Sequence, residues 1–191
     1  MKIVGFDTLH ADAGRSFSFL KIITDKGIIG WSEYTGISEI LRRKGLTAVI
    51  ESLLKPLIGR DPREIERITN DLYTATRQSP FGLNQQAIGA IQNALIDIKA
   101  KSLDIPVYEL FGGPLRKRIP LYWSHFGSNR FPPYSKIVDE QEISCQKEYT
   151  DHAIEVREAG YKALKTKIIY FDADGGKSFY PAYGVHAGGP E

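Results

Sequence analysis

The feature of this sequence that most constrains its fold is a run of apolar residues at helical spacing near the middle of the chain. After Asn84 these residues recur every three or four positions, as on one face of a helix: Ala87, Ile88, Ile91, Ala94, Leu95 and Ile98. Two earlier runs have the same spacing: Leu46, Val49, Ile50, Leu53, Leu54 and Leu57, then Ile65, Ile68, Leu72 and Ala75. The sequence therefore predicts three consecutive amphipathic helices.

The second predicted helix has a capping signal at its start. Asp61 is followed by Pro62 and then by Glu64, three residues after the aspartate. An N-cap aspartate, a proline in the first turn and an acidic residue at the third position are typical of helix N-termini. This arrangement predicts that the helix begins directly after Asp61.

Strand patterns precede the helices. Residues 2–9, 16–25 and 28–34 are predicted strands, and the turn at residues 26–27 predicts a hairpin between the last two. The polar segment 10–16 between the first two is predicted to be a loop. Strands followed by a block of helices predict an α+β unit, to which we assign residues 1–117.

The pattern changes after residue 117. Residues 118–127 and 161–170 are predicted strands, and the helical pattern between them, residues 148–160, ends at Gly160. A strand, a helix and a strand in this order predict two parallel strands with a right-handed crossover. Residues 118–191 are therefore the beginning of an α/β arrangement.

The second of these strands contains two lysines at alternate positions. Lys165 and Lys167 lie on one side of the strand, because strand side chains alternate between faces. Leu164, Thr166 and Ile168 lie on the other side, which is mostly apolar and is predicted to be buried. An isolated Lys-x-Lys is more often a solvated strand face than a functional site, so its meaning depends on the surrounding sequence.

The composition excludes several classes of partner. The 191 residues are 42% hydrophobic and carry a net charge of +2, with no basic or acidic block, so neither a nucleic acid nor a membrane surface is predicted as a partner. The only cysteine, Cys145, cannot form a disulfide within the chain, which suits a reducing compartment. No segment has the apolar length of a signal peptide or a membrane helix. We therefore expect a cytoplasmic protein.

The order of these elements resembles one enzyme family. The segment AIGAIQNALIDIKAKSLDIPVYELFGGPL, followed by LYWSH and then by ALKTKI, is similar to the mandelate racemase/muconate lactonizing enzyme group of the enolase superfamily. The resemblance covers most of the chain. It implies an α+β capping domain over residues 1–117, followed by a C-terminal (β/α)8 TIM-type barrel. Residues 118–191 would then be an incomplete barrel, truncated after about two strands.

The resemblance also implies a reaction and a role for the two lysines. Enzymes of this group abstract the proton α to a carboxylate, and the Lys-x-Lys motif falls on Lys165 and Lys167 in this sequence. Lys167 would be the general base and Lys165 its electrostatic partner. Inside a barrel, partial desolvation and mutual repulsion would favour a neutral amine, which can accept a proton near pH 7.

Four further residues are candidates for substrate binding. Ser124 and His125 follow the first predicted barrel strand, and His10 and Arg15 lie in the predicted loop of the capping domain, which covers the substrate in this family. A structural role for His125 at the start of a loop is equally possible, and His10 and Arg15 could also be ordinary surface residues. The sequence does not decide between these alternatives.

The resemblance implies Mg²⁺ as cofactor, bound by carboxylates at the ends of the third, fourth and fifth barrel strands. We expect these ligands beyond Glu191, and we therefore expect the chain to be the N-terminal portion of a longer enzyme. The first expectation for the reaction is dehydration of a sugar acid. Racemisation, epimerisation or cycloisomerisation of a small carboxylate remains open, as does an inactive fragment or association module. The family also implies a homo-oligomer.

Overall fold

The structure is a computed structural model and describes residues 1–12, 16–34, 41–131, 135–136 and 139–179. The chain divides into two compact units, Met1–Leu115 and Arg116–Glu191. No helix among the described residues is long and apolar enough to cross a membrane.

The first unit contains a three-stranded antiparallel sheet in the order β1-β2-β3. Its strands are β1 (Ile3–Asp12), β2 (Ser16–Thr24) and β3 (Ile29–Tyr34). The predicted hairpin between the last two strands is confirmed, with Ile23 opposite Ile29 at the turn. The predicted loop at residues 10–16 is wrong at its start, because β1 continues through residue 12 and pairs with β2 up to that point.

Three helices follow the sheet, as predicted. They are α1 (Leu41–Leu54), which continues into a short 3-10 helix at Lys55–Leu57, α2 (Ile65–Ala75) and α3 (Leu83–Ser102). Their apolar stripes, together with apolar residues of the sheet, form the core of this unit. The fully buried helix residues in this core include Leu46, Ile50, Leu54, Ile68, Ala87, Ile91, Ala94, Leu95 and Ile98.

The predicted start of the second helix is wrong by three residues. The helix begins at Ile65, and the residue that precedes it, Glu64, makes no side-chain capping bond. Asp61 instead accepts hydrogen bonds from the Arg63 backbone amide at 3.0 Å and from its guanidinium at 2.6 Å. The aspartate therefore stabilises a turn before the helix, because a nearby arginine offers it stronger donors than the helix amides.

The helix α3 packs closely against strand β3. A Cβ atom built on Gly30 would overlap the carbonyl oxygen of Ala94 and lie 2.6 Å from Cγ1 of Ile98. On the same strand, the Trp31 amide donates to Asp97 at 2.8 Å, and Lys101 donates to the carbonyl of residue 29 at 2.9 Å. Two side chains of the helix thus bind backbone groups of the strand.

The second unit contains the predicted helix, here α4 (Gln146–Glu158), which is followed by Gly160 with φ of 89°. The long strands predicted at residues 118–127 and 161–170 are wrong. Their pairing with each other is reduced to one parallel bridge between Trp123 and Leu164, and residues 168–170 belong instead to an antiparallel hairpin. The parallel sense of the pair agrees with the prediction, but the backbone leaves the extended conformation at His125, whose φ is 58°.

A hairpin in the second unit was not predicted. Strand β4 (Ile168–Asp172) pairs with β5 (Gly175–Phe179) in antiparallel register. Its second strand begins with two glycines, which disfavour strands. Only glycine fits at position 176, because a Cβ there would overlap the ring of Phe131 and lie 2.9 Å from the carbonyl oxygen of Ile143.

Candidate functional site

Backbone hydrogen bonds bring the two predicted site segments of the second unit together. We call residues 123–127 the first-strand end and residues 163–167 the lysine segment. The Trp123 amide donates to the Ala163 carbonyl at 3.0 Å, and the Lys165 amide donates to the Trp123 carbonyl at 2.8 Å. The Phe126 amide then donates to the Lys165 carbonyl at 3.0 Å. These bonds make Ser124 and the lysines neighbours across one parallel pair.

The lysines themselves lie at the surface of the described structure to different extents. Lys165 is exposed and Lys167 is half-buried. The predicted burial of the opposite face is wrong, since the side chains of Leu164 and Ile168 are 40% and 69% exposed. The prediction assumed a regular strand, and strand geometry in this segment is limited to the bridge at Leu164 until β4 begins at Ile168.

The threonine between the lysines is held by a side-chain hydrogen bond. The Thr166 hydroxyl lies 2.8 Å from the hydroxyl of Tyr149 on α4. Its oxygen also lies 2.9 Å from the carbonyl oxygen of Lys167 and 3.3 Å from that of Phe126. On the face opposite the lysines, Thr166 therefore connects the lysine segment to α4 through the hydrogen bond with Tyr149.

Ser124 and His125 are both exposed at the first-strand end. His125 has a φ of 58°, in the left-handed region that residues other than glycine seldom occupy. Gly127, two residues later, has a φ of 72°. The backbone thus turns sharply where the side chains predicted to contact substrate are found, and unusual backbone conformations of this kind are common at functional sites.

The remaining two predicted site residues belong to the first unit. His10 lies on strand β1, with Nδ1 3.0 Å from the Ser18 hydroxyl and its ring edge-on to Tyr34 at 6.3 Å. The ring is therefore held by neighbours on the sheet and does not lie in a loop. Arg15 lies outside the described residues.

A buried histidine, which was not predicted from the sequence, lies beside this site. His152 on α4 is 4% exposed, stacks on Phe126 at 4.9 Å and has Nδ1 2.9 Å from a carboxylate oxygen of Glu155. That hydrogen bond, with help from the charge of Arg130, lowers the pKa of the Glu155 carboxyl below its usual value. The spacing of three residues between the histidine and the glutamate was the signal in the sequence, but such pairs are common on exposed helix surfaces.

The histidine also borders a small cavity behind the first-strand end. The cavity has a volume of about 110 Å³. It is lined by Trp123, His125, Gly127, Asn129, Arg130, Glu140 and His152. Arg130 lies 3.3 Å from a carboxylate oxygen of Glu140, which also lines the cavity, and 3.3 Å from one of Glu155.

The described residues do not provide a metal site. Within them, no group of three or more His, Cys, Asp and Glu side chains could hold a metal ion. The acidic pair nearest to the lysines, Asp172 and Asp174, binds Lys177 at 2.6 and 3.4 Å, and this ion pair lowers the pKa of Asp172. These carboxylates do not fit the ligand set that the family implies for Mg²⁺.

The antiparallel sheet and the three helices give the first unit an α+β fold, and the second unit holds the Lys-x-Lys segment beside the first-strand end. Residues 6–112 match the family described as mandelate racemase / muconate lactonizing enzyme, N-terminal domain. The chain belongs to this family of the enolase superfamily, and its first unit is the N-terminal capping domain. The predicted family is therefore confirmed.

Two relatives show how much of the chain is similar to known proteins. The chain is 42% identical over 125 residues to the D-galactonate dehydratase family member RspA of Cellvibrio japonicus, a match covering 64% of this chain and 30% of the relative. It is 38% identical over 122 residues to the D-galactonate dehydratase of Xanthomonas euvesicatoria, covering 64% and 31%. The chain thus spans about a third of the length of these relatives.

A solved structure gives a similar result. A proposed L-alanine-DL-glutamate epimerase from Burkholderia xenovorans superimposes with a TM-score of 0.84 at 40% identity, covering 94% of this chain and 44% of the other. A structure of the same description binds magnesium and fumarate, with a TM-score of 0.83 and coverage of 93% and 43%. The similarity therefore includes the second unit, beyond the region that the capping-domain family matches.

Proposed function

We propose that the protein is an enolase-superfamily enzyme that abstracts the proton α to a carboxylate, and that it dehydrates a sugar acid. The observation that carries this proposal is the backbone pairing of Trp123 and Phe126 with the lysine segment, which places Ser124 and His125 between the two paired residues. The names of the dehydratase relatives, 38% to 42% identical to this chain, favour a sugar acid as substrate.

In this proposal Lys167 is the base that takes the α proton from the substrate. A positioned general base typically contributes a factor of about 10² to 10⁴ to the rate. Lys165 stabilises the developing negative charge through its ammonium group, and the side chains of Ser124 and His125 bind substrate hydroxyls. A substrate-binding role for His10 and Arg15 remains part of the proposal.

We also propose that residues 118–191 form the first part of a (β/α)8 barrel, after a capping domain at residues 1–117. The parallel bridge between Trp123 and Leu164, with α4 between the two segments in sequence, supports this proposal, because neighbouring strands of such a barrel are parallel and joined by a helix. The exposed side chains of Ile119, Leu121 and Ile168 would be covered by further barrel elements.

Magnesium is the cofactor we infer for the intact enzyme, because a related structure is described as bound to magnesium and fumarate. The described residues offer no ligand set for it. We therefore propose that the 191-residue chain alone has no dehydratase or epimerase activity. Turnover by this chain with MgCl₂ would contradict that proposal.

An epimerase is the second candidate, because the structural relative at 40% identity is a proposed L-alanine-DL-glutamate epimerase. The two reactions give different products. Dehydration of D-galactonate yields a 2-keto-3-deoxy acid and one water, whereas epimerisation of L-alanyl-L-glutamate changes only the configuration at one carbon.

The product of the entire gene should therefore be assayed with both substrates and MgCl₂, with proton NMR in D₂O as the measurement. We expect the keto acid from the sugar acid and no change in the dipeptide. Epimerisation of the dipeptide without keto-acid formation would favour the second candidate. Absence of α-proton exchange in a panel of sugar acids and dipeptides would contradict both and favour an association module.

A further inference from the structure

The geometry points to a positioning role for Tyr149 and Thr166, an inference that rests on the proposed function. We propose that their paired hydroxyl groups fix the lysine segment against the first-strand end and so determine where the Lys167 amine is presented. Neither residue faces the substrate in this proposal. They act through the backbone of the lysine segment.

The first step in the argument is where the backbone ladder ends. The last backbone hydrogen bond between the two segments runs from the Phe126 amide to the Lys165 carbonyl at 3.0 Å. His125, the residue before this amide, and Gly127, the residue after it, have positive φ values of 58° and 72°, so the first-strand end is not extended on either side of the bond. Lys167 therefore lies just past the point where the parallel pairing stops.

The second step is that the Thr166 hydroxyl lies at this point. Its oxygen is 3.3 Å from the Phe126 carbonyl oxygen and 2.9 Å from that of Lys167. A threonine hydroxyl has one proton to donate, so it binds one of these carbonyls at a time, and the shorter contact favours Lys167. If Tyr149 donates its proton across the 2.8 Å contact, both hydroxyl groups are satisfied.

The third step is that the tyrosine ring is itself fixed. Its centroid lies 4.8 Å from that of Phe126 and 6.1 Å from that of Phe171, with both pairs edge-on. The ring also lies over Gly127, where an added Cβ would come within 2.5 Å of the tyrosine Cε2 atom. Helix α4, both segments and strand β4 therefore meet at the tyrosine, and its hydroxyl has a defined position.

The chain offers matched variants for a test. Tyr149→Phe and Thr166→Val each remove one hydroxyl and keep the shape, whereas Thr166→Ser keeps the hydroxyl. Thr150→Val is the control, because this exposed threonine on the same helix bonds the Gln146 carbonyl of its own helix, at 3.0 Å.

The first measurement needs no enzyme activity. Amide hydrogen exchange of Phe126 and Lys165, whose amides bond across the two segments, is followed by mass spectrometry of fragments that contain these amides, with the 191-residue chain kept below the concentration at which it associates. We expect exchange about fivefold faster in Tyr149→Phe and Thr166→Val, the equivalent of one hydrogen bond. Thr166→Ser and Thr150→Val should stay within about twofold of the unmodified protein. Unchanged exchange in both hydroxyl deletions would overturn the inference, whatever reaction the protein catalyses.

The second measurement is steady-state kinetics of the same variants in the product of the entire gene, with D-galactonate as the probe. A misplaced base should lower kcat by about tenfold or more and leave KM within about twofold, and the serine variant should restore kcat. Faster amide exchange with unchanged kcat would overturn the positioning role. If Lys167→Ala retains full activity, the proposed base is wrong, while the exchange result still reports on the hydroxyl pair.

Discussion

Lys167 is the single residue on which the proposed reaction most depends. Lys167→Ala should lower kcat at least about 10²-fold, because it removes the general base. The fold should be unaffected, since the side chain is half-buried and lies outside the described core. Exchange of the substrate α proton with D₂O, measured by NMR, should be lost in parallel.

Lys162→Ala is the control for this variant. Lys162 is exposed and lies three residues before Lys165, so its removal changes the local charge without removing either motif lysine. Its kcat should stay within about twofold of the unmodified enzyme. If Lys167→Ala exchanges the substrate α proton at the rate of the unmodified enzyme, Lys167 is not the base. The two motif lysines are then a solvated surface pair.

Thr69 is a residue at which substitution should stabilise the protein. It is 8% exposed on α2, and its hydroxyl has no hydrogen-bond partner in the described part of the chain. A buried hydroxyl without a partner costs free energy, so the isosteric Thr69→Val should raise the free energy of unfolding by up to about 1 kcal/mol. Urea unfolding at pH 7 measures this change.

The matched control is Thr74→Val on the same helix. The Thr74 hydroxyl is exposed and bonds the Asn70 carbonyl at 2.9 Å. Its loss should change the free energy of unfolding by no more than about 0.5 kcal/mol. A destabilised Thr69→Val variant would indicate that the hydroxyl binds an ordered water, because removing a satisfied group costs stability.

Among the elements, the contact between α3 and β3 is the most sensitive to an added atom. Gly30→Ala places a Cβ against the Ala94 carbonyl oxygen and the Ile98 side chain. Because both belong to a buried helix, they cannot move freely, and we expect a loss of at least about 2 kcal/mol in the free energy of unfolding. Thermal unfolding followed by circular dichroism measures it.

Gly89→Ala on α3 should not lower the free energy of unfolding. A Cβ at this position meets no atom within 4 Å among the described residues. Alanine is favoured over glycine inside helices by up to about 1 kcal/mol, so this variant should be as stable as the unmodified protein or more so. Equal effects of the two substitutions would show that the close approach at Gly30 is relieved by a shift of the helix.

The turn before α2 gives a prediction for pH. Hydrogen bonds from the Arg63 side chain lower the pKa of Asp61 from its usual 3.8 to about 2. The carboxylate therefore stabilises the folded state above about pH 4, and this contribution disappears as the pH falls toward 2. Asp61→Asn should be less stable than the unmodified protein at pH 7, by about 1 kcal/mol or less because the pair is partly solvated. The two should converge near pH 2, and a pH-independent difference in urea unfolding would contradict this origin.

At the scale of the whole molecule, the second unit exposes apolar side chains. Ile119, Leu121 and Ile168 are each at least 69% exposed. We expect the 191-residue chain to self-associate at about tens of micromolar, because exposed apolar side chains favour association. Light scattering after size-exclusion chromatography measures this. Leu121→Lys should reduce association, and Lys162→Glu, which alters charge alone, should not. A monomer at these concentrations would contradict the prediction.

The first unit could be predicted from the sequence because its signals are periodic. The stripes of α1 to α3 repeat over many residues, and the hairpin turn has the residues that such turns require. The error at Asp61 arose because a capping signal and a local ion pair use the same residue types. Which donor the aspartate binds depends on where Arg63 lies in space.

The second unit was predicted less well because its geometry depends on single residues. His125 ends the extended segment in a conformation that no periodic pattern reveals. The two glycines of β5 disfavour a strand on their own, and contacts with Phe131 and Ile143 outweigh that preference. The lysine motif was identified by its resemblance to a family, whereas the tyrosine that holds it lies 16 residues before Lys165 and carries no motif.

The side chains of Asp97 and Lys101 have a consequence for how the protein behaves in a crowded solution. β3 lies at one end of the sheet order, where unpaired backbone groups could template a strand from another molecule. The Trp31 amide and the Ile29 carbonyl are already bound by these two side chains. An incoming strand would have to displace them, so the helix that fills the core also protects this border of the sheet against intermolecular extension.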